Sequence, residues 1–180
     1  MVLATPKNWP FGLIIIHWVT ALVVIGMFAV GVWMVDLTYY SEWYRTAPHW
    51  HKSTGLILAA VTLARLLMRT RTQRPERFGS AVERILSSLG HAGIYALLIT
   101  IFVSGYLIST ADGRGIEVFN WFTVPGAGEL FAEQSDIAGE VHEYAAYGLI
   151  GLVVIHALAA FKHHFISRDA TLSQMTGRHR

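Results

Sequence analysis

The sequence predicts an all-α protein, a transmembrane bundle of four helices. Apolar residues make up 53% of the 180-residue chain and charged residues only 14%, whereas a typical soluble domain has about 25% charged residues. Crossing a bilayer takes about 20 mostly apolar residues, and four stretches qualify. We expect one domain over residues 1–180, with spans at roughly 12–35, 51–68, 88–109 and 141–161.

The first stretch is interpreted as a retained helix, because its apolar run from Gly12 to Val35 is longer than the core of a signal peptide and has no small-residue cleavage motif. The second span is the weakest, since Arg65 interrupts it. Neighbouring helices must shield this arginine, or its side chain must reach the membrane surface. The third and fourth spans meet the length requirement.

Lysine and arginine are concentrated at one end of the spans, and the loops at the other end carry only Arg45 and Arg114. Because positively charged segments stay in the cytoplasm, both termini and the 69–88 connection are predicted to be cytoplasmic. The longer outer loop, residues 115–140, is expected to lie along the membrane surface with some short helix. The cytoplasmic cations are Lys7, Arg69, Arg71, Arg74, Arg77, Arg84, Lys162, Arg168, Arg178 and Arg180.

Histidines occur at matching depths on different spans. His142 and His156 are fourteen residues apart on the fourth span, which corresponds to about 21 Å of rise with both side chains within about 40° of one face. His17, near the cytoplasmic start of the first span, is level with His156. His51, at the outer start of the second, is level with His142. The sequence therefore predicts an inner pair, His17 with His156, and an outer pair, His51 with His142.

Two facing imidazoles can occupy both axial positions of a haem iron, and haem b needs no covalent bond to the protein. The chain has no cysteine, which excludes disulfides, cysteine-bound iron–sulfur clusters and c-type haem attachment. We predict two b haems. The alternatives are histidines that only pack or hydrogen-bond between helices, or a metal transporter without haem. Four polar rings in apolar spans are costly unless they bind something.

Several residues near the histidines have two interpretations. Gly55, Gly148 and Gly151 would let a flat macrocycle approach the helices, or they serve ordinary helix packing. Arg65 lies fourteen residues after His51 and is predicted to bind a haem propionate, or to reach cytoplasmic headgroups.

The other histidines are assigned by position. His49 follows Pro48 at a helix entry, so we favour His51 as the ligand. His91, on the inner side of the third span, is a hydrogen-bonding neighbour or a quinone contact. His163 and His164 belong either to a solvated basic tail, like His179, or to a quinone site where they bind a carbonyl or exchange protons.

Six motifs resemble the bacterial cytochrome b561 family, and the similarity runs nearly end to end. The histidine spacing is also similar to that of cytochrome b subunits of membrane-bound hydrogenases and formate dehydrogenases. The resemblance implies four helices in the bacterial inner membrane, two b haems on the histidine pairs above, and electron exchange with ubiquinone or a related quinone. The motifs are IIIHW (14–18), PHWHKSTG (48–55), RLLMR (65–69), LGHAGIY (89–95), VHE (141–143) and HALAAFKHH (156–164).

We therefore expect a lipid-embedded electron carrier between an outer-face donor and the quinone pool, with no nucleic-acid partner. One branch of the family is similar in oxidising superoxide at the outer haem, and there the position matching His163 lies near the quinone. Acids outnumber bases in the outer loops, which disfavours an anionic substrate, and Lys52 is the cation best placed to attract one. Another alternative is an anchor subunit for a periplasmic dehydrogenase, so the enzyme class stays open.

Overall fold

The computed structural model describes residues 8–177, so Lys7, Arg178, His179 and Arg180, which the topology and tail predictions used, lie outside it. Four long helices dominate, each contains one predicted span, and all four are long and apolar enough to cross a membrane. At 25 to 30 residues they are about 38–45 Å long, longer than a bilayer core. The four-helix prediction is confirmed. The helices are α1 (Phe11–Val35), α2 (Thr46–Thr70), α3 (Ala81–Thr110) and α4 (Gln134–Lys162).

The start of α3 shows why a helix extends beyond its apolar stretch. Ser80 precedes the helix, and its hydroxyl accepts a hydrogen bond from the Glu83 backbone N–H at 3.3 Å. The Glu83 carboxylate in turn accepts from the Ser80 N–H at 2.7 Å. This reciprocal cap satisfies two backbone donors that the helix leaves free. The helix therefore begins seven residues before the predicted span.

The bundle consists of two helical hairpins. Helix α1 packs closely on α2 and α3 on α4, while contacts between the two hairpins are sparser. One buried aliphatic residue from each helix forms a central layer. Large apolar side chains such as Leu22 and Ile155 point outward, with exposures of 69% and 62%, as expected for surfaces that face lipid. The central layer is Val24, Leu58, Leu98 and Leu149.

The loop before α4 contains a β-hairpin that was not predicted. Strands β1 (Ile116–Val118) and β2 (Phe122–Val124) pair antiparallel and are rich in the β-branched and aromatic residues that favour strands. Phe119 and Asn120 have positive φ values of 45° and 59°, and the Trp121 N–H donates to the Val118 carbonyl at 2.8 Å, which closes the turn between the two strands. The short helix expected in this loop corresponds to the first turns of α4.

The side chain of Ser53 links this hairpin to α2 by two hydrogen bonds. Its fully buried hydroxyl donates to the Glu117 carbonyl at 3.1 Å and accepts from the Phe119 N–H at 3.1 Å. Because Ser53 lies two residues after His51, the hairpin is held against the helix end that carries the outer histidine.

The chain after α4 folds back on the bundle. It forms a π-helical turn (His163–Ser167), reverses at Arg168 with φ of 53° and ends in a short 3-10 turn (Ser173–Met175). We call residues 163–177 the return segment.

Two long-range hydrogen bonds hold the return segment in place. The Trp18 indole N–H donates to the Met175 carbonyl at 2.7 Å, and the Gln174 amide donates to the Glu76 carbonyl at 2.9 Å. The segment therefore packs on α1 and on the α2–α3 connection. Of the two alternatives for His163 and His164, the solvated tail fits less well, because both side chains are partly buried in this segment.

Candidate functional site

The structure brings the predicted outer pair together. His51 of α2 and His142 of α4 face each other with ring centroids 6.3 Å apart and ring planes 66° apart. The two helices belong to different helical hairpins, so the rings meet across the interface between the hairpins. We call this position the outer level, following the predicted orientation.

The surroundings of the outer rings leave nitrogen atoms available for a ligand. His142 Nδ1 lies 3.0 Å from the Ile101 carbonyl oxygen and 3.2 Å from the Ser104 hydroxyl. Since a carbonyl only accepts, Nδ1 carries the proton and Nε2 keeps its lone pair for a metal. His51 Nδ1 is buried and has no hydrogen-bond partner among residues 8–177.

Each outer ring rests on a glycine of the neighbouring helix. A Cβ added at Gly105 of α3 would lie 3.0 Å from His142 Cε1, and one at Gly31 of α1 would lie 3.3 Å from His51 Cε1. Any larger residue would push the imidazoles away from these helices. The two glycines therefore make the space in which the outer rings lie.

The predicted inner pair also meets. His17 of α1 and His156 of α4 have ring centroids 6.3 Å apart and planes 80° apart. His91 of α3 is closer to His156, at 5.2 Å, and its Nδ1 donates to the Ser87 carbonyl at 2.6 Å. We call this position the inner level.

The ring separations discriminate between these contacts. Two imidazoles on opposite sides of one metal atom have centroids about 6.3 Å apart, for a metal–nitrogen bond of about 2 Å and roughly 1.15 Å from nitrogen to ring centre. The separation is 6.3 Å in the outer and inner pairs. The His91–His156 separation of 5.2 Å is too short. The two predicted pairs therefore have the ring separation that a metal between them would need, and His91 fits a neighbour of His156.

Two arginines lie at the inner level. Arg65 Nη2 is 2.9 Å from His17 Nδ1, and since a guanidinium only donates, Nδ1 accepts here. Metal binding by Nε2 requires the proton on Nδ1, so Arg65 must then release His17 for another partner. One turn further, Arg69 lies 5.8 Å from the ring centres of both Trp9 and Tyr95. Sequence analysis had not singled out Arg69.

One spacing explains the whole arrangement. Every helix carries two residues of the site fourteen positions apart, one at each level, and its member of the central layer lies seven positions from both. This repeat across helices is the signal that could have identified Gly31 and Gly105, which sequence analysis missed. The four sets are His17, Val24 and Gly31; His51, Leu58 and Arg65; His91, Leu98 and Gly105; and His142, Leu149 and His156.

The glycines chosen from the sequence lie away from the rings. A Cβ at Gly55 would lie 3.7 Å from Met27, and one at Gly148 would lie 3.8 Å from Leu97, both ordinary packing distances. A Cβ at Gly151 would meet nothing within 4 Å.

The remaining candidates lie around the two levels. Lys52 is exposed beside His51, and no ring contact joins His49 to the outer pair within the described chain. His163 is half-buried in the return segment, with Nδ1 2.6 Å from an Asp169 oxygen. His164 packs on Phe165 with centroids 4.8 Å apart.

Comparison with known proteins gives a family and several relatives. The family described as "Prokaryotic cytochrome b561" matches residues 8–178. Cytochrome b561 homolog 2 of Escherichia coli K12 is 43% identical over 97% of this chain and 94% of its own length. The probable superoxide oxidase CybB of Yersinia pestis is 27% identical over 89% and 90%, and cytochrome b561 homolog 1 of E. coli K12 is 25% identical over 92% and 94%.

The match covers the four helices, the histidine-bearing levels and the return segment. It agrees with four helices that can span a membrane. The chain belongs to the prokaryotic cytochrome b561 family of membrane electron-transfer proteins, a family that binds haem b.

Proposed function

We propose that the protein binds two b haems, one within each histidine pair, and moves electrons between an outer-face donor and the quinone pool. The equal 6.3 Å separation of the two pairs is the observation that supports this most. Bound haem supplies reversible one-electron chemistry whose potential depends on its ligands and surroundings. The chain itself would hold and orient the two haems, and its central layer separates the two sites.

The central layer separates the two levels and blocks proton transfer between them. Its residues are apolar and buried, and they lie midway along the roughly 21 Å of rise between levels. A layer without ionisable groups offers no path for protons. Haems held at the two levels would supply the electron transfer across this distance, while protons would stay at the end where they are exchanged.

The inner level supplies cationic partners for the haem carboxylates. Arg65 already reaches into the inner pair, and Arg69 lies one turn beyond it on the same helix. A buried guanidinium in lipid needs an anionic partner, and a propionate provides bidentate acceptor geometry. His91, His163 and His164 lie towards this end of the bundle, where we place the quinone.

Superoxide is the alternative electron donor. A relative that is 27% identical is named a probable superoxide oxidase. Arg114 binds Asp112 at 2.5 Å, and hydrogen bonds from Arg114 lower the pKa of the Asp112 carboxyl, so these two charges offset each other. Lys52 is exposed beside His51 and forms no ion pair within residues 8–177. It is the cation that would draw an anion to the outer level.

The substitution His142→Ala tests the pairing. It removes one ligand of the outer pair and leaves the inner pair intact, so haem bound per chain should fall from about two to about one. The ratio is measured by haem extraction from the purified protein. His49→Ala, which removes a nearby histidine outside the pair, should keep both haems. Full haem retention in His142→Ala would contradict the assignment.

Crowding the outer ring provides a second test. Gly105→Val places a side chain where a Cβ alone lies 3.0 Å from His142, so we expect the outer haem to be lost or its reduction potential to shift. Redox titration monitored by absorbance measures both. Gly139→Val is the control, because a Cβ at Gly139 meets nothing within 4 Å. Equal behaviour of the two variants would mean that Gly105 does not support the ring.

Neutralising Lys52 tests the superoxide alternative. Lys52→Gln should slow superoxide-driven absorbance change about two- to fivefold at low ionic strength, and the difference should shrink as salt screens the charge. Arg71→Gln, the same charge change at the opposite end of the bundle, should leave the rate unchanged. If the two variants react at the same rate, Lys52 does not steer the substrate.

A further inference from the structure

We infer that Asp169 is a positioning residue that makes His163 a proton donor to the quinone at the inner level. The inference rests on the proposed function, because it requires a quinone to be reduced at that end of the bundle. The return segment thereby gains a role, which electron transfer alone does not give it.

The first observation is the placement of His163 on α4. It follows His156 by seven residues, which is close to two turns, about 10.5 Å of rise and a rotation of only about 20°. His163 therefore continues the stripe of α4 that carries His142 and His156. A proton donor at this position lies close to where electrons leave the inner pair.

The second observation is how the chain brings a carboxylate to this histidine. The π-helical turn His163–Ser167 and the left-handed Arg168 reverse the backbone, and the Asp169 N–H donates to the His163 carbonyl at 3.2 Å. This reversal places Asp169 Oδ2 2.6 Å from His163 Nδ1. Both side chains are only 14% exposed.

The carboxylate is fixed at both oxygens. Asp169 Oδ1 accepts a hydrogen bond from the Thr171 backbone N–H at 2.9 Å, while Oδ2 accepts from His163 Nδ1. Burial raises the pKa of the Asp169 carboxyl, but the hydrogen bonds from Thr171 and His163 outweigh it, and the pKa lies below its usual range. The nearby Lys162 is bound to Glu83, so it does not compete for Asp169.

This geometry sets the chemistry of His163. With Nδ1–H donated to a carboxylate, Nε2 is the nitrogen that exchanges protons. No hydrogen bond engages Nε2 within the described part of the chain. A carboxylate and an imidazole that share one hydrogen bond are the pair used to orient general acids and bases.

The quinone takes two electrons from the outer-face donor through the electron-transfer activity of the protein, and the donor is oxidised. Each electron makes a quinone oxygen more basic, so the Nε2–H bond of the His163 imidazolium breaks, an O–H bond forms, and the ring is left neutral with its proton on Nδ1. The imidazole takes a new proton from water on that side, and two such transfers give the quinol.

The test follows oxidation of the haem-loaded protein by a short-chain ubiquinone analogue. The purified protein is reduced chemically, mixed with increasing quinone and followed by stopped-flow absorbance. Asp169→Asn should lower the limiting rate roughly 10- to 100-fold, the range for loss of such a partner, with less than threefold change in the half-saturating quinone concentration. Asp169→Glu, which keeps the charge, should recover most of the rate.

Two further variants complete the test. Glu76→Gln removes an exposed carboxylate at the same end and should leave the rate within twofold of the starting protein. His163→Gln removes the proton-carrying ring and should match Asp169→Asn, so the test holds even if Asp169→Asn folds poorly. Haem content of each variant reports its folding.

The outcomes separate the inference from the proposed function. If the unmodified protein binds haem but the quinone does not oxidise it, the proposed function fails and the inference with it. If the quinone oxidises it and Asp169→Asn keeps the limiting rate, the inference alone is wrong. A raised half-saturating concentration with an unchanged limiting rate also overturns it, because Asp169 would then shape the quinone site.

Discussion

The structure depends on holding two imidazoles a fixed distance apart at two levels inside one helical bundle. The ring centroids are 6.3 Å apart at each level, so the two helical hairpins face each other with a gap between the paired rings. An interval of fourteen residues is close to four helical turns, so a straight helix can present residues to both levels from one face. Helix α4 supplies a histidine to each, and the other helices follow the same interval.

The helices that do not supply a paired histidine contribute different residues at the two levels. At the outer level, glycines on α1 and α3 make room for the rings. At the inner level, α2 places Arg65 against His17 and α3 places His91 against His156. Each imidazole of the outer level thus packs directly against a glycine of the adjacent helix. The inner level instead carries an arginine and a third histidine, which suits our proposal that haem carboxylates are bound and protons exchanged at this end.

Sequence periodicity predicted the features that depend on residue spacing within each helix. The four helices and the meeting of His17 with His156 and His51 with His142 follow from hydropathy and from the fourteen-residue interval. Features that depend on distant contacts were missed. The β-hairpin needs Ser53, 64 residues away from Glu117, and the return segment needs Trp18, 157 residues away from Met175. Gly31 and Gly105 gave no signal alone, because a glycine becomes informative only beside the ring that it accommodates.

The number of haems per chain tests the central claim most directly. The protein is purified in detergent, its reduced-minus-oxidised spectrum is recorded, and haem is quantified against protein determined by amino-acid analysis. Two histidine pairs at metal-binding separation predict a b-type spectrum with two haems per chain, each with two axial imidazoles. A reproducible ratio of one or fewer, from protein that remains folded, would contradict the account.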